Sequence, residues 1–256
     1  HKRMNVSNKI TGIIPTFNEE NHIEAAIDSL NFTDEIIVLD SFSTDTTVER
    51  AKSKGAKILQ RKFDNFSSQK NFAIENASHS WIFLLDADER VSNELQKEVL
   101  EIISKPSKYS AYWIFRSNFF MKRRIKYSGW QNDKVIRLFI KEKSHYNGKL
   151  VHEEIQTQGE IGLLKNKLDH FTYKGFNSYI QKKNHYAQLQ AKELAKKGLK
   201  PGVYHFLLKP LYRFINHYFL RCGFLDGTEG LFISIFSAYS IFARYVNLWL
   251  LNRGLK

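Results

Sequence analysis

Apolar residues near the start of the chain fall into short runs that alternate with stretches at helical spacing. Ile10, Ile13 and Ile14 mark a β-rich run over 9–15, which Pro15 is expected to stop, and a polar loop over 16–20 follows. Over 21–30, Ile23, Ala26, Ile27 and Leu30 recur as on one helix face. The run EIIVL at 35–39 predicts a second buried strand, closed by a polar segment at 40–45. Asp45 is placed to cap a helix over 46–54, and Gly55 to end it. A strand over 56–59, a helix over 69–77 and the aromatic run WIFLL at 81–85 complete the alternation. Such a pattern predicts a mostly parallel sheet with right-handed crossovers.

Beyond a helix expected over 91–104, the character changes. Aromatic and β-branched strands are predicted over 109–118 and 134–140, flanking a basic segment at 122–124 and a turn at 127–130. A second ionisable cluster, LVHEE, occupies 150–154, and a long polar helix over 176–197 ends at Gly198 and Pro201. Residues 203–220 and 231–251 are apolar and aromatic, but Pro210 and the cations Lys209, Arg213, Arg221 and Arg244 argue against clean membrane spans. Two such helices suit an interfacial position on an anionic bilayer. Packing on the rest of the chain, or on a second copy in a homo-oligomer, fits the same pattern.

The WIFLL run ends abruptly in Asp86-Ala87-Asp88-Glu89. In open α/β sheets, ligands bind beyond the carboxyl ends of the strands, so this strand would deliver its carboxylates to a ligand. Residues two apart point to one face of a strand, and Asp86 and Asp88 would together grip a hard cation carrying phosphate oxygens. A solvated acidic turn is the simpler alternative. With 256 residues and a net charge of +13, the chain can bury a large core and calls for an anionic partner. No zinc-finger spacing or RNA-binding signature is present, which sets nucleic acid aside. The lone Cys222 excludes an intramolecular disulfide framework and points to a reducing, cytoplasmic compartment. No signal peptide is expected, because the segment after Met4 is polar and the next apolar run is short.

Taken in order, IIPTFNEENHIEAAIDSL, EIIVLDSFSTDTT and SSQKNFAIENASHSWIFLLDADER resemble the nucleotide-sugar domain of family 2 glycosyltransferases. VIRLF at 135–139, VHEE at 151–154 and GFLDGTEGL at 223–231 look similar to the bacterial lipopolysaccharide core β-1,4-glucosyltransferase branch. The resemblance implies an α/β, GT-A (Rossmann-like) catalytic domain over 4–175 and a helical extension over 176–256. It implies that Pro15, Thr16, Phe17 and Glu19 cradle a nucleotide, usually UDP, that Asp40 bonds the uracil, and that Ser41, Gln69 and Lys70 lie nearby. Asp86 would face the ribose, and Asp88 would ligate Mg²⁺ or Mn²⁺, with His152 as a further ligand or phosphate contact.

Such a transferase also needs a general base for the acceptor hydroxyl. Asp133, Glu153 and Glu154 are the candidates, and Glu153 is favoured although VHEE departs from the Glu-Asp pair common in the family. Trp130 offers a sugar a stacking face, and Arg137 a phosphate contact; a core aromatic and a structural ion pair remain the alternatives. The implied activity is metal-dependent, inverting transfer of a hexose, glucose from UDP-glucose, to a glycan or glycolipid such as lipopolysaccharide core, peripherally at the cytoplasmic face of the inner membrane. A peptide or polymer acceptor, or a non-catalytic basic module binding anionic lipid, are the competing expectations. A sugar nucleotidyltransferase would need a Gly-rich signature where Gly12 stands alone.

Overall fold

The computed structural model describes residues 9–147, 154–173 and 175–255. The chain divides into two compact units, one of residues 1–116 and 133–170 and one of residues 117–132 and 171–256. The elements run β1 (Ile10–Thr16), α1 (Ile23–Ser29), β2 (Glu35–Asp40), α2 (Thr47–Ser53), β3 (Lys57–Gln60), α3 (Phe66–Glu75), β4 (Trp81–Leu84), β5 (Glu89–Val91) and α4 (Asn93–Ile103). Then follow β6 (Tyr109–Phe120), β7 (Arg123–Arg124), β8 (Lys134–Ile140), β9 (Ser144–Tyr146), β10 (Ile155–Thr157), β11 (Glu160–Leu163) and β12 (Leu168–Phe171). Helices close the chain: α5 (Phe176–Lys196), α6 (Val203–Phe206), α7 (Leu208–Ile215) and α8 (Gly227–Asn252).

In the main sheet the order is β3-β2-β1-β4-β8-β6-β12-β5. Its first four strands are parallel, as the alternating pattern predicts, and β8 then adds antiparallel to β4. The apolar runs are continuous because both faces of these strands are covered. Ile10, Ile14, Phe83 and Leu85 pack into one buried cluster with α1 and α4, through Ile27 and Val99. Ile13, Ile37, Ile82 and Leu84 pack into another with Ala73 and Ile74 of α3. Pro15 does not stop β1, which stays paired with β2 through Thr16↔Asp40. Its pairing with β4 ends at Ile13↔Leu84, so Pro15 sits where one neighbour is already lost and its missing N–H breaks no ladder on that side.

The second unit is built on α8, which packs against α5 and α7. The polar break before α8 has a structural task. Asp226 accepts hydrogen bonds from the backbone N–H groups of Lys126 and Tyr127 (3.0 and 2.9 Å) and from the Ser128 hydroxyl (2.8 Å). Gly230 lets the first turn of α8 lie against the preceding turn, since a Cβ there would come within 1.9 Å of the Gly223 carbonyl oxygen. His217 is buried in the π-helical turn Asn216–Leu220. Its Nδ1 lies 2.9 Å from the Ser128 carbonyl, which only accepts, and its Nε2 lies 3.3 Å from Arg213 Nη1, which only donates. The ring is therefore the neutral Nδ1–H tautomer.

Burial first, then Arg213, Arg221 and Lys183, push the His217 pKa down to about 4, with the Ser128 carbonyl opposing. The unfolded chain takes up this proton near pH 6.5 and the folded one only near 4, so this contribution to stability is intact above pH 6.5 and drains away as pH falls toward 4. Denaturant titrations should show stability declining across that window. In His217→Asn the decline should flatten.

Candidate functional site

The carboxyl ends of β1, β2 and β4 carry the polar loops singled out in the sequence. The two loops after β1 and β2 are laced together. Thr16 O accepts from Ser41 N (3.0 Å), Asn18 N donates to the Ser43 hydroxyl (2.8 Å), and the Asn18 side-chain oxygen accepts from Thr44 N (2.8 Å). Asp45 accepts from Thr47 N at 3.0 Å in an Asx turn just ahead of α2 and also from Glu20 N (3.3 Å), while the N-cap position expected of it falls to Thr46, which makes no side-chain capping bond. Glu19 N donates to the Thr47 hydroxyl. Such lacing allows Asn18 and Phe42 to hold positive φ, and Phe17 and Phe42 are left exposed at the loop tips.

Asp40 is fully buried at the end of β2, and its carboxylate accepts from Ser43 N and from Gln60 Nε2 (3.0 Å). Ser41 accepts from Gln69 Nε2 (3.1 Å), whose carbonyl takes Arg61 Nη1 (3.3 Å). Thr16, Asp40, Ser41 and Gln69 thus form one connected corner, with Pro15 paired to Leu39 beneath it. Within it the buried Thr16 hydroxyl has no hydrogen-bond partner among the described residues. A nucleotide would supply one.

The second corner is the turn after β4. Glu89, fully buried, accepts from Asp86 N (3.1 Å), Arg137 Nη2 (2.8 Å) and Arg116 Nη1 (3.3 Å). The same Arg137 Nη2 donates to Asp86. Arg116 continues the network by gripping both oxygens of Asp133 (2.9 and 2.8 Å). Burial opposes ionisation of Asp86, but Arg137, Lys70, Arg116 and His170 outweigh it and hold the carboxyl well below its ordinary value. Lys70 itself is buried, its ammonium 4.9 Å from the Tyr146 ring. Arg90 ties the turn to the first loop by donating to the Ala87 and His22 carbonyls (2.7 and 3.0 Å), and Asp88 and Glu19 both act on its charge.

Asp88 lies 3.7 Å from His170 Nε2. The antiparallel register of β5 and β12, with His170 opposite Glu89, sets that distance. No cluster of three or more His, Cys, Asp or Glu is placed to hold a metal among the described residues. Two protein donors, one carboxylate and one imidazole, nevertheless suit a divalent ion whose other positions are filled by diphosphate oxygens and water.

His170 carries no local signal in the sequence; its place beside Asp88 comes from the pairing of β12 with β5. Glu89 was read as part of the acidic turn, although an arginine amid the apolar VIRLF run already demanded a buried carboxylate. Arg137 takes the structural alternative, since it serves Asp86 and Glu89. Trp130 belongs to the second unit, edge-on to Phe120 with ring centroids 6.0 Å apart. Glu154 is exposed beside β10, while His152 and Glu153 lie outside the described residues.

A family model described as glycosyl transferase family 2 matches residues 11–171, which include every part of these two corners. The chain belongs to that family. Among its relatives, an uncharacterised glycosyltransferase of Rickettsia typhi is 32% identical, over 94% of this chain and 86% of its own. A lipopolysaccharide core biosynthesis glycosyltransferase of Rhizobium meliloti, LpsC, is 26% identical over 92% and 93%. Among solved structures, glucosyl-3-phosphoglycerate synthase of Mycobacterium tuberculosis, in complex with Mn²⁺, UDP and glucosyl-3-phosphoglycerate, aligns with a TM-score of 0.38 at 24% identity, over 43% of this chain and 44% of that one. The glycosyltransferase thus carries its two polar corners on the part of the chain that defines the family.

In this glycosyltransferase the Glu89 network should behave as one buried unit. Replacing Glu89 by Gln removes the buried acceptor that Arg116 and Arg137 share, leaving each with one carboxylate, and should lower unfolding free energy by roughly 1.5–3 kcal/mol. Asp133→Asn, at the partly exposed end, should lower it by only about 1 kcal/mol. Urea titration of the two variants checks the contrast.

Proposed function

We propose that this glycosyltransferase moves a hexose, glucose from UDP-glucose, onto a glycan or glycolipid acceptor such as a lipopolysaccharide core, with inversion at the anomeric carbon. The observation that carries the reading is the pairing of Asp88 with His170 beside the Asp86 turn, at the same sheet edge as the buried Asp40 corner. Thr16, Asp40 and Ser41 would bind the uridine, and Asp86 would meet the ribose. Lys70 would meet the phosphates.

Asp88 and His170 would hold Mg²⁺ or Mn²⁺, which when bound would neutralise charge developing on the departing diphosphate. The acceptor hydroxyl oxygen would attack the anomeric carbon as the bond from that carbon to the diphosphate oxygen breaks, and its proton would pass to a carboxylate. Glu153 is proposed as that base. Asp133 is the weaker candidate because Arg116 donates to both of its oxygens and so occupies them. The LpsC relative supports the choice of acceptor class.

Calorimetry with UDP, with and without Mn²⁺, tests the donor site. Manganese should tighten UDP binding in the native chain, and Asp88→Ala and His170→Ala should each abolish that gain. Glu153→Gln should keep UDP binding but slow transfer by roughly 10²- to 10⁴-fold. Manganese-independent UDP binding, or full transfer by Asp88→Ala, would reject the reading.

Attachment to the cytoplasmic face of a membrane is part of the same proposal. Along α6 and α7 the chain is turned inside out: Leu207, Leu208, Leu211 and Tyr212 are all more than half exposed, while Lys209 turns inward to the Tyr245 hydroxyl (2.7 Å). Residues Gly223–Asn252 are also long and apolar enough to cross a bilayer, yet α8 packs along α5 and α7. An exposed apolar face of this kind, on a chain of net charge +13, suits the interface of an anionic bilayer. Leu208→Asp with Leu211→Asp should leave the fold intact and release the protein from phosphatidylglycerol vesicles in co-sedimentation. Undiminished co-sedimentation would rule the face out.

A further inference from the structure

The second unit contains a cavity of about 350 Å³ that the donor site does not use. Lys182, Lys183, Arg213 and Arg244 line it, together with Tyr179 and Trp130. No Asp or Glu lines it, and none of its four cations has an ion pair among the described residues. Cations gathered in a half-enclosed space repel one another and lose hydration, so an arrangement of this kind is kept where an anion completes it. Burial, then Lys182 and Arg213, push the Lys183 ammonium toward its neutral form, the mark of that crowding.

Two orphaned donors point the same way. Tyr179 is only 6% exposed, and its hydroxyl has no hydrogen-bond partner among the described residues. The buried Arg244 Nε is also unpartnered. Buried polar atoms are nearly always satisfied, so two of them on one cationic cavity mark a place for a ligand with acceptor oxygens. Lys183 Nζ lies 5.3 Å from the centre of the Tyr179 ring, held over its face, and Trp130 supplies a second flat aromatic surface. Sugar rings stack on such surfaces, and the volume admits a single substituted sugar.

We propose that this cavity binds an oxyanion-bearing sugar, a phosphorylated or carboxylated residue of the acceptor, with Arg213, Arg244, Lys182 and Lys183 on the oxyanion, Tyr179 donating to it, and Trp130 against the ring. The proposal rests on the transferase reading above and narrows its acceptor to an anionic saccharide. It concerns residues distinct from those assigned to the donor.

Calorimetry on the full chain saturated with UDP, using glucose 6-phosphate, glucuronate, glucose and inorganic phosphate as probes, tests it. Glucose 6-phosphate or glucuronate should bind, glucose should not, and inorganic phosphate should compete but more weakly. Arg244→Gln and Tyr179→Phe should each weaken the anionic sugar about tenfold, equivalent to about 1.4 kcal/mol, while UDP affinity is unchanged. Tyr179→Phe removes only an unpartnered buried hydroxyl and so should fold as well as the native chain. Failure of both anionic sugars to bind, equal binding of glucose or of inorganic phosphate, or equal affinity in both variants would overturn the proposal. Loss of UDP binding in the native chain, with anionic sugar still bound, would instead sink the transferase reading and leave the cavity assignment standing.

Discussion

A carboxylate with no exposed surface needs hydrogen-bond partners from the protein, and Glu89 is such a group. Its two arginines come from different strands, Arg116 on β6 and Arg137 on β8, and it accepts from the backbone of Asp86 as well. Satisfying Glu89 therefore fixes the turn after β4 to the antiparallel half of the sheet. Asp86 and Asp88 are two consequences of that turn. The first is kept ionised by the arginine that serves Glu89, and the second is set beside His170 because β5 and β12 pair in one register. Replacing such a network by apolar residues often costs nothing in stability, so its retention makes sense as a means of fixing geometry.

The Asp40 corner reaches rigidity by another route. Short side-chain and backbone hydrogen bonds close the loops after β1 and β2 over one another. Preorganised acceptors and donors of this kind bind without first paying an ordering cost, and the strained φ of Asn18 and Phe42 is tolerated because several bonds over-determine it. The second unit has a different logic. Around α7, apolar side chains face outward while Lys209 and Arg213 turn toward the interior, the reverse of an ordinary soluble helix.

Much of this was legible in the chain. Alternating apolar runs and helical spacings determine the strands and helices of the parallel half, because a strand buried on both faces must read as a continuous apolar run, while their order in the sheet does not follow from them. The acidic end of WIFLL, the Asp40 segment and the Asp45 turn ahead of α2 follow from local chemistry, which depends on neighbours in sequence. Only the tertiary structure decided the partners. Glu89 and Arg137 are 48 residues apart, and Asp88 meets His170 through the register of two short strands. Pro15 stays within its strand because β4 stops pairing at Ile13. The helical tail presents cations to a cavity and leucines to the surface. Sequence spacing reports which side chains share an element; long-range pairing, which no local period encodes, decides what each of them touches.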